Sequence, residues 1–149
     1  MVGTRSLSSS PVHFPARALA WLIPSILFGA SRVVLVSPWM EDVPLLLPPT
    51  VGRGLGDLLV HLEETGAELW VFLRERDERA EGVLAYLRRT KIQLVTNLHA
   101  KGIFTESVAL TGSANLLWTS VHRNVESVSL WLHGKGNPLA AMREAIPNL

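Results

Sequence analysis

The alternation of apolar runs between residues 32 and 97 is the feature that most restricts the fold of this chain. Arg32–Met40 (RVVLVSPWM), Glu68–Arg74 (ELWVFLR) and Ile92–Asn97 (IQLVTN) are short, rich in apolar and β-branched residues, and typical of strands. Between them, Gly52–Thr65 and Asp77–Thr90 place apolar residues at helical spacing. Strands that alternate with helices in this way predict a largely parallel sheet with crossover helices.

The rest of the chain departs from this alternation. Ala100–Glu106 and Ser107–Ser113 are two strand-like runs with almost nothing between them, so they predict a hairpin. A short helical turn from Leu116 precedes an alternating strand at Glu126–His133, and Pro138–Ile146 has the pattern of a closing helix. We therefore expect one α/β domain over all 149 residues, with a mixed, largely parallel sheet and helices on both of its faces.

Residues 1–31 form an N-terminal segment that allows two interpretations. Arg5 and Arg17 precede an uncharged stretch, residues 18–31, that ends in small residues and faintly resembles a signal peptide. The stretch is too short to span a bilayer, and Pro24 interrupts it. Its direct continuation into the first strand favours the other interpretation, an amphipathic helix that is kinked or restarted at the proline and packs on the sheet. The buried stripe of that helix would be Leu19, Ile23, Ile26 and Leu27.

Composition limits the kinds of site that the chain can carry. The chain is 48% hydrophobic and 18% charged, which is typical of a globular domain. It has no cysteine, which excludes disulfides, cysteine-ligated zinc and thiol catalysis. Its net charge is +1, so any surface that binds phosphate must be local. We expect a cytoplasmic protein that does not act at a membrane, with export to the periplasm as the alternative if residues 1–31 are a signal peptide.

Polar residues in the second half of the chain are spaced as an anion-binding site requires. His99 and Lys101 are two residues apart, so on a strand their side chains point to the same face. Gly112–Asn115 (GSAN) follows a predicted strand, where a tight turn can present a hydroxyl and an amide to an anion. Asn124 and Glu126 are again two residues apart and lead into the next strand.

These residue types suit attack on phosphorus. A neutral imidazole at His99 is a competent nucleophile, and the ammonium of Lys101 supplies positive charge to a nonbridging phosphate oxygen. Ser113 and Asn115 add neutral donors to the same anion, and loss of one such preoriented donor typically raises the barrier by about 3 kcal/mol. Glu126 can accept the second imidazole N–H, which fixes the tautomer and stabilises the cation formed during attack. We expect these five residues to be catalytic.

Together, the three pieces resemble the signature of the phospholipase D superfamily. That signature is His-x-Lys, an Asp after four further residues, a Gly-Ser-x-Asn segment and a downstream Asn-x-Glu. The resemblance covers most of the chain from about Arg32 and includes the Ser37-Pro38 pair that ends the first predicted strand. In length and layout the chain resembles the short single-motif bacterial endonucleases of the superfamily. The residues that match are His99 and Lys101, then Gly112, Ser113 and Asn115, then Asn124 and Glu126.

Two departures from the signature lie between the first and second pieces. Glu106 stands where the family has Asp, and the segment from Glu106 to Gly112 is one residue shorter than usual. In the family that acid is mainly structural and fixes neighbouring backbone, so the resemblance implies retained activity. It also implies that Glu106, Gly112 and Asn124 support the site and do not react.

The resemblance implies a two-fold dimer, because the family's active site needs two motifs that face each other and this chain has one complete motif. His133-Gly134-Lys135 repeats the His-x-Lys spacing, but Ala140 holds the acid position and no Gly-Ser-x-Asn follows, so we interpret it as coincidence. In the dimer one His99 would act as nucleophile and form phosphohistidine, while the other would act as general acid. Lysines and neutral donors would neutralise the phosphate, so neither a metal nor a cofactor is expected.

Three further residues are candidates for contact with the substrate. His122 and Arg123 lie just before the Asn-x-Glu piece and could touch a substrate backbone, and the alternative for both is a solvated loop. Arg74, at the end of the second predicted strand, could line the cleft, because ligands favour the carboxyl ends of parallel strands. The alternative for Arg74, and for Arg76 beside it, is a solvated charge cluster with Glu75, Asp77, Glu78 and Arg79.

We expect a metal-independent phosphodiesterase whose substrate is DNA or RNA. The chain is small, a single-motif dimer would present a symmetric groove, and nothing in the sequence resembles a lipid-binding insertion. The near-neutral charge suggests that a partner delivers the nucleic acid, as ATPases or helicases do for superfamily nucleases in prokaryotic antiviral defence. One alternative is a phospholipase or phosphatidyl transferase at a membrane. Another is a weakly active or inactive structural subunit of a larger nuclease–ATPase complex.

Overall fold

Seven short strands form one sheet in the structure, a computed structural model that describes residues 10–116 and 126–149. The strands are β1 (Val12–Pro15), β2 (Arg32–Val36), β3 (Glu68–Leu73), β4 (Lys91–Leu94), β5 (Gly102–Thr105), β6 (Val108–Gly112) and β7 (Ser127–Leu132). Their order across the sheet is β1-β7-β6-β5-β2-β3-β4.

Four α-helices lie within the same described residues: α1 (Leu19–Leu27), α2 (Leu55–Glu64), α3 (Glu78–Leu84) and α4 (Pro138–Ala145). Local signals in the sequence account for several of their ends. The Asp77 side chain caps α3 by accepting from the backbone N–H of Ala80 at 3.0 Å. Asn137 caps α4 in the same way, and Pro138 occupies the first turn of that helix, where its missing N–H costs nothing. Gly66, with φ of +92°, ends α2 in the left-handed conformation.

The sheet is mixed, as expected, and its parallel part is the predicted strand–helix–strand–helix–strand unit. β2 pairs in parallel with β3, and β3 pairs in parallel with β4. The other four pairings are antiparallel, including the predicted hairpin of β5 and β6. The parallel share is smaller than we expected, because β5 lies beside β2 in the antiparallel direction and the later strands extend the sheet from there.

Helices cover both faces of the sheet, as predicted. Side chains alternate along β2, so that Val33 and Leu35 face the core beneath α1, α2 and α3. Val34 and Val36 point the other way and pack with Ala141 and Met142 of α4. Among the described residues, no helix has both the length and the apolar character needed to cross a membrane.

The first helix is confirmed, although its details differ from the prediction. α1 is a single helix that includes Pro24, and Leu19, Ile23 and Leu27 are buried as expected, whereas Ile26 is only partly buried. The sequence did not predict β1, which pairs antiparallel with β7 at the edge of the sheet. Its four residues are too few to show a period of two, and their partners lie more than a hundred residues away.

The second crossover helix is shorter than the predicted Asp77–Thr90, and a buried carboxylate explains why. Glu63 of α2 accepts hydrogen bonds from the backbone N–H groups of Arg88, Arg89 and Thr90 at 2.7 to 3.1 Å. N–H groups bound in this way cannot continue a helix. Burial alone raises the pKa of the Glu63 carboxyl, but the hydrogen bonds from Arg88, Thr90 and Arg89 outweigh it and leave the pKa below its usual value.

Candidate active site

The predicted site residues lie at one edge of the sheet, the edge formed by the carboxyl ends of β2 and β3. The directions of the strands place them there. β2, β3 and β6 end at this edge, whereas β5 and β7 begin there. The register places Val36 opposite Gly102, and Gly112 opposite Val128. We call this the motif edge. The predicted site residues that lie just beyond the strand ends there are Arg74, His99, Lys101, Ser113, Asn115 and Glu126.

His99 and Lys101 lie on the connection that leads into β5. Asn97, with φ of +63°, turns the chain after β4, and the buried side chain of Leu98 anchors the connection. His99 is exposed and Lys101 is half-buried. The ammonium Nζ of Lys101 donates to the backbone carbonyl oxygen of His99 at 2.6 Å. The two residues of the first motif piece are therefore in direct contact.

Arg74 reaches the same connection from the end of β3. Its Nε donates to the carbonyl oxygen of Leu98 at 3.0 Å, and its Nη2 donates to the same oxygen. Nη2 also lies 2.9 Å from Nδ1 of His99. The guanidinium carbon lies 5.3 Å from the centre of the Trp39 ring, within the range of a cation–π contact. Arg74 is thus part of the site.

The neighbouring charged side chains pair with one another in a separate cluster. Such a cluster was the alternative interpretation for Arg74, which instead contacts His99. Arg76 pairs with Glu81, and Arg79 pairs with Asp77 at 3.1 Å. Arg79 also lies over the Trp39 ring, at 5.8 Å from its centre. Of these three arginines, Arg74 is the one that hydrogen-bonds to the motif edge.

The partner of His99 Nδ1 differs from our expectation. We predicted that Glu126 would accept a hydrogen bond from this nitrogen, but Arg74 occupies that position. Glu126 lies at the motif edge, and its Oε2 is buried without a hydrogen-bond partner among residues 10–116 and 126–149. The physical reason is the Leu98 carbonyl, which anchors the guanidinium directly beside the imidazole.

The Gly-Ser-x-Asn segment links β6 to β7. The backbone N–H of Ser113 donates to the carbonyl oxygen of Ser127 at 3.1 Å, and the Ser113 hydroxyl accepts from the backbone N–H of Ser127 at 3.3 Å. Ser113 therefore holds the start of β7, next to Glu126. Asn115 carries a buried Oδ1 that has no partner in the described part of the chain. Buried polar atoms are normally hydrogen-bonded, so these two oxygens stand out, and the third such oxygen among the described residues, Glu106 Oε1, lies at the opposite end of the sheet.

A buried serine connects this segment to the end of β2. The Ser37 hydroxyl accepts from the backbone N–H of Leu116 at 3.0 Å and donates to the carbonyl oxygen of Trp39 at 2.5 Å. The sequence pointed to the Ser37-Pro38 pair but assigned Ser37 no role. The available signal was their place directly after a parallel strand, where ligands bind in α/β sheets.

Glu106 lies away from the motif edge. It occupies the turn between β5 and β6 at the opposite end of these strands, where its Oε2 accepts from the backbone N–H of Ser31 at 2.9 Å and from the Ser31 hydroxyl. Burial raises the pKa of the Glu106 carboxyl, but the hydrogen bonds from Ser31 outweigh it and lower the pKa below its usual value. Glu106 therefore ties the hairpin to the start of β2, which agrees with the structural role that the family resemblance implies.

The second His-x-Lys pair also lies at that opposite end. His133 Nε2 lies 3.0 Å from the carbonyl oxygen of Thr105, the last residue of β5, and Lys135 pairs with Glu144 of α4. This position supports our interpretation of the repeated spacing as coincidence. The described residues include no group of three or more histidine, aspartate or glutamate side chains that could hold a metal ion.

Some predictions fall on the part of the chain that the structure does not describe. Asn124, His122 and Arg123 lie between residues 117 and 125, as does most of the helical turn predicted from Leu116. Their roles stay predictions.

The chain has the fold of the phospholipase D superfamily. NucT from Helicobacter pylori superimposes with a TM-score of 0.64 and 14% identity, over 91% of this chain and 92% of that one. Nuc from Salmonella typhimurium, a phospholipase D family member, gives a TM-score of 0.62 and 15% identity over 91% of each chain. Polyphosphate kinase from Porphyromonas gingivalis gives 0.59 and 13% over 91% of this chain and 23% of its own. No family model and no curated protein matches the sequence.

Gly112 is a position at the motif edge where an added side chain would meet the backbone of β7. A Cβ built there would lie 2.3 Å from the carbonyl oxygen of Ser127 and 2.8 Å from Cα of Val128. We expect Gly112→Ala to push β6 from β7 and to lower the free energy of unfolding by about 1–3 kcal/mol, as measured by chemical denaturation. Gly82→Ala is the matched control, because its Cβ would meet nothing within 4 Å. Equal stability of the two variants would contradict the close approach.

Proposed function

We propose that this chain is a metal-independent phosphodiesterase that hydrolyses nucleic acid at a site shared by two protomers. The observation that carries the proposal is the motif edge. Strand directions bring His99, Lys101, Asn115 and Glu126 to one edge of a sheet with the phospholipase D fold. Pieces that are separate in the sequence thereby lie at the same edge.

The first chemical step is attack on phosphorus. Nε2 of one His99 forms a P–N bond, and the bond from phosphorus to the leaving oxygen breaks. The His99 of the second protomer, as imidazolium, gives its proton to that oxygen. Lys101 and the amide of Asn115 stabilise the charge that builds on the nonbridging oxygens.

The second step returns the site to its starting form. Water attacks the phosphohistidine, and the now neutral imidazole of the second protomer takes the proton from that water. The P–N bond breaks, which releases the phosphomonoester and restores His99. The buried carboxylate of Glu126 stabilises the proton on Nδ1 during both steps. Each proton that leaves one imidazole is thus recovered by the end of the cycle.

Nucleic acid is the substrate that the chain suits best. The fold likeness to NucT and Nuc extends over nine-tenths of all three chains, so this chain matches the short members of the fold in size. By contrast, it spans only about a third of the phosphatidylserine synthase that it resembles. The net charge of +1 does not favour tight autonomous binding of nucleic acid, so we propose that a partner, such as an ATPase or helicase of a cytoplasmic defence complex, delivers the substrate.

A nuclease assay in EDTA tests the chemistry. We expect the wild-type protein to cleave plasmid or single-stranded DNA without a divalent ion, and His99→Ala to lower the rate by about 10³-fold or more, because the nucleophile is lost. His133→Ala is the matched control, since His133 shares the His-x-Lys spacing but lies at the opposite edge. Loss of wild-type activity in EDTA with recovery on adding magnesium would refute the metal-independent mechanism.

The same assay separates the alternatives. Turnover of phosphatidylcholine instead of DNA would favour a phospholipase. A lack of turnover with every substrate, together with a stable larger complex, would favour a structural subunit.

The dimer has its own test. Size-exclusion chromatography with light scattering at micromolar concentration should give twice the 16.4 kDa mass of the chain. The reason is that one chain supplies one complete motif and the reaction uses two imidazoles. A monomer at all concentrations where the protein is active would contradict the shared site.

A further inference from the structure

Within residues 10–116 and 126–149, two cations of the motif edge are held by the backbone next to His99. Arg74 binds the carbonyl oxygen of Leu98, and Lys101 binds the carbonyl oxygen of His99. The guanidinium of Arg74 also rests over the Trp39 ring, and its backbone N–H donates to the carbonyl of Pro38. In this arrangement the side chain of Arg74 bridges the end of β2 to the His-x-Lys piece.

The contact between Arg74 and His99 determines which imidazole nitrogen carries the proton. A guanidinium has only N–H donors and stays protonated, so Nδ1 at 2.9 Å must accept the hydrogen bond with its lone pair. The neutral imidazole then carries its proton on Nε2. In that tautomer the Nε2 lone pair is absent, and Nε2 cannot attack phosphorus.

Neither role of His99 in the proposed reaction is compatible with this contact. The nucleophile needs a free lone pair on Nε2 and therefore a proton on Nδ1. The general acid is an imidazolium, which has protons on both nitrogens. In both cases an Nδ1–H would face the N–H of Arg74 at hydrogen-bonding distance, where two donors repel each other.

We propose that Arg74 is a positioning residue that holds His99 in the tautomer that cannot attack phosphorus. Binding of a phosphodiester breaks this contact and frees the imidazole. This inference rests on the proposed function. A guanidinium matches two phosphate oxygens better than it matches one carbonyl and one imidazole nitrogen, so an incoming phosphate draws Arg74 away. The freed Nδ1 takes up a proton and Nε2 gives its own proton to solvent, so the net charge of the imidazole is unchanged, and Nδ1–H gains a carboxylate partner in Glu126, whose buried Oε2 has no partner among the described residues. Nε2 then carries the lone pair that attacks.

The contact between Arg74 and His99 thus makes the nucleophile available when a phosphate is bound to Arg74. An exposed imidazole nucleophile would otherwise react with any phosphoryl donor that reached it, whereas His99 becomes nucleophilic when an anion already engages Arg74. Arg74 therefore contributes to substrate binding, as its position in the sequence suggested, and also sets the protonation pattern of the nucleophile.

Imidazole ¹⁵N NMR of the full-length protein tests the proposal directly. At about pH 8.5, above the ordinary imidazole pKa of about 6.5, the wild-type protein should show His99 protonated on Nε2 alone. Saturating inorganic phosphate should move the proton to Nδ1. The signals of His99 are identified among the five histidines by their loss in His99→Ala.

Arg74→Met removes the donor while keeping a side chain of similar length. We expect the Nδ1-protonated form to appear without phosphate and the affinity for phosphate to fall about 10- to 100-fold, because one charged hydrogen bond is lost. Arg79→Met is the matched control, since Arg79 also lies over Trp39 but pairs with Asp77. Its His99 spectrum should equal that of the wild type. Arg74→Lys, which keeps the charge, should give an intermediate spectrum. This variant provides the test if Arg74→Met does not fold.

Two results would overturn the proposal. One is an Nδ1 proton on His99 in the wild-type protein before phosphate is added. The other is an Arg74→Met spectrum that matches the wild type while the variant remains folded. The nuclease assay tests the proposed function separately. Failure to cleave DNA would refute the proposed substrate, whereas the Arg74 proposal stands or falls on the imidazole spectra.

Discussion

The antiparallel pairing of β5 with β2 is the interaction on which the site depends. β2 and β3 run in parallel and end at the same edge, so a strand that pairs antiparallel with β2 must begin where they end. The register that sets Val36 opposite Gly102 therefore brings Lys101 and His99 to the carboxyl ends of the parallel strands. Parallel pairing of β5 would have put the His-x-Lys piece at the opposite edge, where Glu106 lies in the structure.

The remaining elements extend this arrangement. The tight turn after β5 returns β6 to the same edge, and the absence of a side chain at Gly112 lets β7 approach closely enough for Ser113 to bind Ser127. Glu106 secures the far end of the hairpin on Ser31, and Ser37 joins the loop after β2 to Leu116. Packing and hydrogen bonds distant from the phosphate thus determine the spacing of the groups that would contact it.

Sequence reasoning succeeded where the signal was local and failed where it came from distant residues. β2, α2 and the hairpin have short-range patterns of apolar spacing and turns, and all three form. α3 stops early because Glu63, about 25 residues away, binds the backbone after it. β1 was not predicted because its stability comes from pairing with β7. The contact of Arg74 with His99 Nδ1 was not predicted because no local pattern reports that Arg74 anchors on Leu98.

The central claim is that two copies of the motif edge hold one phosphate between them. Isothermal titration calorimetry with tungstate, an oxyanion that resembles phosphate, measures this stoichiometry in the absence of any nucleic acid or partner. The shared site predicts one tungstate for every two chains, with the binding lost in His99→Ala. One tungstate for every chain, bound at equivalent and independent sites, would contradict it.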